Sequence, residues 1–342
     1  MKSINVLLSK ILLLLLVPVA SCMKYGPSQT ETFLPGAMGE GLFIVNQGNF
    51  MYANASLSYY VPGSGKMENQ VFIRANGINL GDVAQSMAIY GENAYIVVNN
   101  SGVIFVIDPD TFSLKGSITG LISPRYIHFI DDKKAYVTDL YQEKITIIDP
   151  QTYLITGYIP TPGHRSTEKM IQWENFVFVT CWSYDNKILV IDTRTDKVTD
   201  SLKVGYQPSD LLVDGNGKIW CAAAGNLYRI DALSRKIEKI FPADADGVHI
   251  FLALNATSDT LYYLNKSLWR MGTDQPATNP VPFISLDNRP YYGLAVDPVT
   301  SHIYIADAVD YVQQGKVIRF SPRGDPVDTL TTGVNPGFFC FK

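Results

Sequence analysis

Apolar residues along this chain come in short runs of five to seven, each closed by a polar turn, and the runs repeat. Strands ending in an aspartate recur as VIFVIDP from Val103, KITIIDP from Lys144, KILVIDT from Lys187 and NLYRIDA from Asn226, with weaker copies SLWRMG from Ser267 and KVIRFSP from Lys316. The aspartates Asp108, Asp149, Asp192 and Asp231 are 41, 43 and 39 residues apart. A second apolar run precedes each copy: AYIVVNN from Ala94, AYVTDL from Ala135, VFVTCW from Val177, IWCAAA from Ile219, LYYLN from Leu261 and IYIADA from Ile303. A further run, such as PRYIHFI from Pro124 or PYYGLAV from Pro290, comes before that, and a more polar one, such as LITGYIP from Leu154, follows. Four strands in every forty or so residues is the pattern of propeller blades. One four-stranded sheet cannot cover both of its own faces, so the unit has to be repeated and closed. The aspartates read as turn formers between the third and fourth strands of each unit, not as catalytic carboxylates.

Six groups run from about Gln85 to Gly333. An N-terminal fragment is left over, with strands LFIVNQ from Leu42, ASLSYYVP from Ala55 and NQVFIRANG from Asn69, together with a C-terminal NPGFFCFK from Asn335 that resembles the opening strand of the other groups. Together they predict a seventh blade. The predicted fold is therefore all-β: a seven-bladed propeller of four-stranded blades over residues 41–342, its ring closed by the last strand beside the first. The entropy of such a long-range closure grows only slowly with chain length.

Ahead of the propeller, residues 1–21 have the form of a signal peptide, with Lys2 and Lys10, the apolar run Ile11 to Val17, and Val19-Ala20-Ser21 before Cys22. The apolar run is shorter than the roughly 20 residues that span a bilayer. The spacing resembles a bacterial lipobox, which makes Cys22 the lipidation site and residues 22–40 a lipidated tether. Removal of Lys2 and Lys10 leaves 26 basic residues against 32 acidic ones, a net of −6 that argues against nucleic acid as a partner. Of the four cysteines, Cys181, Cys221 and Cys340 then remain, an odd number that predicts free, buried thiols and no disulfide framework. Metal is not expected, since only four histidines are present and no zinc-type spacing occurs. No nucleophile, base and carboxylate share a recognised spacing with His164 or His249, so no catalytic residue is assigned and the reading is of a protein that is not an enzyme. His128 is read as a satisfied core residue and His302 as solvated.

In a propeller, the loops between second and third strands and those between blades gather at one mouth of the central channel. Here they are rich in Tyr, Trp, Asn and Gln, which suits a large polar ligand. The predicted ligand contacts are Tyr52, Arg125, Tyr141, Trp182, Tyr184, Tyr206, Arg289, Tyr291 and Tyr311.

The stretches Asn99-Asn100-Ser101, SPRYIHF from Ser123, STEKM from Ser166, CWSYDNKIL from Cys181, YYGLAV from Tyr291 and DYVQQG from Asp310 together resemble the cobalamin-binding BtuG group of seven-bladed surface lipoproteins in gut Bacteroidetes. The resemblance covers about Gly41 to Lys342. A broader one extends to the propellers called YncE-like or surface-layer-like. It implies a lipid-anchored outer-membrane protein, at the cell surface, that captures cobalamin and related corrinoids as transported ligand and not as cofactor. It also implies a partner, a TonB-dependent outer-membrane barrel that receives the corrinoid. Met23-Lys24-Tyr25-Gly26 departs from the acidic cluster that usually directs such lipoproteins outward, which leaves the periplasmic face open. A glycan-binding or protein-interaction propeller, and a propeller hydrolase or lyase, are the alternative functions.

Overall fold

The computed structural model describes residues 39–243 and 249–342. The signal segment, Cys22, most of the tether and residues 244–248 lie outside them. Among the described residues, no helix is long and apolar enough to cross a membrane.

Seven antiparallel sheets follow one another along the chain. Blade 1 joins β1 (Leu42–Asn46), β2 (Ser56–Val61) and β3 (Lys66–Glu68) to the last strand, β27 (Pro336–Phe341). Blade 2 runs from β4 (Ala84–Tyr90) to β7 (Leu114–Ile118), blade 3 from β8 (Pro124–Asp131) to β11 (Leu154–Pro160), and blade 4 from β12 (Thr167–Trp173) to β15 (Lys197–Lys203). Blade 5 runs from β16 (Asp210–Val213) to β19 (Lys236–Pro242), blade 6 from β20 (Phe251–Leu254) to β22 (Leu268–Gly272), and blade 7 from β23 (Tyr291–Val296) to β26 (Pro326–Val334). The first strands touch one another in sequence, β4 to β8, β12, β16, β20 and β23, and β27 closes the circle between β23 and β4. The seven-bladed propeller expected from the repeat is thus what forms.

Burial along each blade explains its composition. In the second strand of blade 4, β13 (Phe176–Cys181), every residue after Phe176 is buried. Alternate side chains point to opposite faces. Val177, Val179 and Cys181 pack on blade 3 beside Tyr136, Ile145 and Ile159, whereas Phe178 packs on blade 5 beside Ile219 and Cys221. A strand covered on both faces has no polar side, hence the unbroken apolar run. The outermost strands face solvent and alternate, as Leu154–Pro160 does. The repeated aspartates cap turns as expected: Asp108 Oδ1 accepts from the amides of Asp110 at 3.0 Å and Thr111 at 2.9 Å. Burial pushes the Asp108 carboxyl up, but those N–H groups and Lys115 outweigh it and hold the group down at about 2.

Closure runs in register, with Leu42 opposite Phe341, Phe43 opposite Cys340 and Ile44 opposite Phe339. Lys342 N donates to Gly41 O at 2.8 Å and Gln47 N to Asn335 O at 2.8 Å, so both ends of the clasp are tied. Gly315 is required beside it, because a Cβ there would lie 2.2 Å from Pro336 Cδ.

Two expectations are corrected. The stretch from Asn69 is not a strand: β3 ends at Glu68, and Val71–Asn76 forms a helix, α1, capped by Gly77 at φ 69°. The turn at Gly63 to Gly65 brings the third strand early, and α1 then buries Val71 and Phe72, the latter 5.1 Å from Phe105 of blade 2. Asn76 ties the helix down, its Nδ2 donating to Phe112 O at 2.9 Å and its Oδ1 accepting from Leu114 N at 2.7 Å. Blade 6 has three strands instead of four. Its would-be outer strand contains Pro276, Pro280 and Pro282, which cannot donate to a ladder, and only the bridge from Leu268 to Ile284 forms.

Deleting residues 336–342 should leave β1 with an unpaired edge and lower the thermal midpoint by on the order of 10 °C or more; an unchanged midpoint in a calorimetric scan would show that the clasp contributes little.

Candidate functional site

The residues that start the innermost strands are aimed into the channel by a recurrent irregularity. In five of the seven blades the pairing of first and second strands slips by one residue at that point. The unpaired residues are Gln85 in β4, Arg125 and Tyr126 in β8, Glu168 and Lys169 in β12, Tyr292 in β23 and Gly337 in β27. A bulge bends its strand and redirects its side chain. All of these except Lys169 line one cavity of ≈ 520 Å³ at the channel mouth, with Ser209, His249 and Phe251 from blades 5 and 6. A deeper cavity of ≈ 240 Å³ shares Tyr126, His249, Phe251 and Gly337 and adds Lys169, Asp210 and Phe338.

A second recurring device fixes the loops around the mouth. In four blades the residue that follows the second strand donates its amide to the carbonyl of the residue before the first strand: Asn99 to Val83, Leu140 to Ser123, Trp182 to Ser166 and Ala308 to Pro290, at 2.8–3.0 Å.

The charges on the channel wall are paired with each other. Arg125 Nε donates to both Glu168 oxygens at 2.9 Å, and its Nη1 donates to Gln85 Oε1 at 2.6 Å. Ser86 Oγ donates to the Arg125 carbonyl at 2.7 Å. Burial pushes the Glu168 carboxyl up, against the pull of Arg125, whose guanidinium meets both carboxyl oxygens. Lys169 Nζ lies 3.5 Å from Asp210 Oδ1 and over the rings of Tyr126 and Phe338 at 4.9 and 5.1 Å. Asp210 Oδ2 also accepts from Leu252 N at 2.9 Å, joining blades 5 and 6. His249 is exposed at the channel mouth, yet the wall beside it strips enough water from the ring to lower its pKa to about 4, so it is neutral at physiological pH. Tyr292 OH donates to Gln47 Oε1 at 2.9 Å, and its ring meets Tyr311 edge-on at 5.8 Å. The two basic and two acidic side chains of the wall are thus paired with each other, and aromatic faces and amides are left to meet a ligand.

Of the predicted contacts, Arg125, Trp182, Tyr291 and Tyr311 converge on the larger cavity. Tyr52, Tyr141, Tyr184 and Tyr206 do not line it. They stand exposed on the loops around it, Tyr184 at 89%. Arg289 is set aside from the cavity, bonded to Asp287 at 2.9 Å and Asp307 at 2.6 Å, and lines a separate depression with Lys316 and Phe320. Tyr126, Glu168, Lys169, Tyr292 and Gln85 were not among the predicted contacts. Their shared signal is a polar or aromatic residue one or two places into the inner strand, and a bulge leaves no mark in hydrophobic periodicity.

The other histidines are mostly as expected. His128 Nε2 lies 3.1 Å from Gln172 Oε1 and burial lowers its pKa, while His302, half-buried, bonds Thr300 at 3.0 Å. His164 differs. Its Nδ1 is 2.6 Å from Asp185 Oδ2, and Cys181 lies beside both, a grouping hidden by loops of different blade edges. The described cysteines are free, as predicted.

Residues 40–331 match the family described as Domain of unknown function (DUF5074). The chain belongs to that family. A search of the curated proteins finds no significant match. Among solved structures, a quinonprotein alcohol dehydrogenase-like protein from Bacteroides thetaiotaomicron superposes with a TM-score of 0.71 at 13% identity, over 88% of this chain and 78% of that one. Hydrazine synthase from Kuenenia stuttgartiensis does so with a TM-score of 0.60 at 14% identity, over 75% of this chain and 89% of the other. At such identities the likeness is one of fold alone.

Truncating Arg125 to Leu leaves Glu168 buried without its partner and should cost about 3–5 kcal/mol in chemical denaturation, with much of the loss recovered in the Arg125→Leu/Glu168→Gln double variant. Equal losses in the single and double variants would contradict the pairing.

Proposed function

We propose that this DUF5074 protein is a binding protein for cobalamin and related corrinoids. It holds them at the channel mouth from a lipid anchor on Cys22 in the outer membrane and passes them to a TonB-dependent barrel. One observation carries this reading: of the six stretches that resemble the BtuG group, all but Asn99-Asn100-Ser101 meet at the cavity. SPRYIHF supplies Arg125 and Tyr126, STEKM supplies Glu168, CWSYDNKIL supplies Trp182, YYGLAV supplies Tyr291 and Tyr292, and DYVQQG supplies Tyr311.

The chemistry supports it. A corrin is a broad ring fringed with amides, too large to enter a cavity of ≈ 520 Å³ whole, so it would rest across the mouth with one edge inserted. The exposed Tyr52, Tyr141, Tyr184 and Tyr206 surround that mouth on their loops and offer rigid aromatic area at little entropic cost. Gln47 and Gln85 offer amide partners. A wall whose charges are already paired favours a ligand of little net charge, and its rigidity limits what binding must spend on ordering. No covalent step is needed, and none is assigned.

Mixing the full chain with cyanocobalamin and desalting the mixture should give a pink protein peak. Tyr292→Ala and Trp182→Ala should each weaken binding by about tenfold or more. A colourless protein peak, with all of the corrinoid in the small-molecule fraction, would refute the reading.

A further inference from the structure

A second site is built at the edge of blade 4, from three side chains that the corrinoid reading does not use. His164 comes from the loop between blades 3 and 4, Cys181 ends β13, and Asp185 lies in the following loop. His164 Nδ1, Cys181 Sγ and an Asp185 carboxylate oxygen all lie within 4.8 Å of one another. The position of each is fixed by other bonds. Gly163 at φ 80°, a conformation that favours glycine, lets the loop turn, and its amide donates to Glu143 Oε2 at 3.0 Å. His164 N donates to Thr161 O at 2.9 Å, and Thr161 Oγ1 donates back to His164 O at 3.1 Å. Asp185 O accepts from Gln207 N at 2.8 Å, and Asp185 Oδ1 from Asn186 N at 2.6 Å. Cys181 is anchored in the ladder opposite Lys187 and Thr167.

The cysteine also differs from its counterparts. Cys221 Sγ donates to Ala222 O and Cys340 Sγ to Phe341 O, whereas Cys181 Sγ makes no hydrogen bond among the described residues and faces the imidazole and carboxylate instead. A fully buried thiol is a poor nucleophile, which argues against a catalytic trio. The same three donors suit a metal. Thiolate, imidazole and carboxylate are the ligands of zinc, and three protein ligands leave a fourth position for water or an incoming group. Two anionic ligands would balance the charge of the ion. Tetrahedral bonds of about 2.0–2.3 Å set ligand atoms roughly 3.3–3.7 Å apart. The His164–Asp185 contact of 2.6 Å therefore has to open by about 1 Å, and the loops carrying both side chains are at the surface.

We infer that His164, Cys181 and Asp185 form a zinc site at the rim of the propeller, next in the chain to Trp182 of the cavity and independent of whether a corrinoid binds there.

The test uses the untagged full chain, stripped of metal and titrated with Zn²⁺ by calorimetry and with Co²⁺ by absorbance. The inference requires one Zn²⁺ per chain and a thiolate-to-cobalt charge-transfer band. That band should vanish in Cys181→Ser, and Zn²⁺ affinity should fall at least 10-fold in His164→Gln and in Asp185→Asn, as the loss of one ligand in three implies. His302→Gln serves as the control and should bind as the parent does. The two loop variants keep the test valid if Cys181→Ser fails to fold. Absence of stoichiometric uptake, a Co²⁺ spectrum without the charge-transfer band, or equal affinity in the loop variants would overturn the inference.

Discussion

The structure depends on a single constraint: every sheet is apolar on both faces and can be covered only by two neighbours. A stack with free ends would leave two apolar faces in water. Bending it into a ring removes both ends, and the pairing of β27 with β1 is where that bending is made good. The clasp has a cost in loop entropy, but a slowly growing one, and it aligns Leu42, Phe43 and Ile44 with Phe341, Cys340 and Phe339 along an otherwise exposed edge.

Closure also creates the axis, and the bulges turn it into a site. In a regular ladder the residues at the start of an inner strand would alternate between the two blade faces. Slipping the register frees Gln85, Arg125, Tyr126, Glu168, Lys169 and Tyr292 from that alternation and points them at one another from different blades. Polar groups collected in this way have to satisfy each other, and the Arg125 bonds to Glu168 and Gln85 do so. The outcome is a stiff wall of low net charge under a collar of exposed tyrosines, a shape suited to recognition across a broad surface.

The fold was legible because the constraint that makes it is written in hydrophobicity. A strand such as β13, buried on both faces, has to be apolar throughout, and the turn aspartates mark the step from the third strand of a unit to the fourth. Even blade 1, split between the two ends of the chain, could be read from FFCF. Where local chemistry competes, the reading failed. An early turn released Val71–Asn76 to form a helix, and prolines kept blade 6 from completing its fourth strand. The site was only partly legible. Loop position found Arg125, Trp182, Tyr291 and Tyr311, but the one-residue slips that aim Tyr126, Glu168 and Tyr292 have no periodic signature. The approach of His164 to Cys181 and Asp185 depends on how two loops fold against each other, which spacing along the chain does not encode.

The claim that the bulged starts of the inner strands form the ligand surface is tested most directly by amide hydrogen exchange of the full chain with and without cyanocobalamin. The account predicts slowed exchange confined to the segments around residues 83–86, 123–127, 166–170, 290–293 and 336–338 and to the loops above them, with the outermost strands unchanged. Slowed exchange centred on the outermost strands, or on the opposite mouth of the channel, would contradict it.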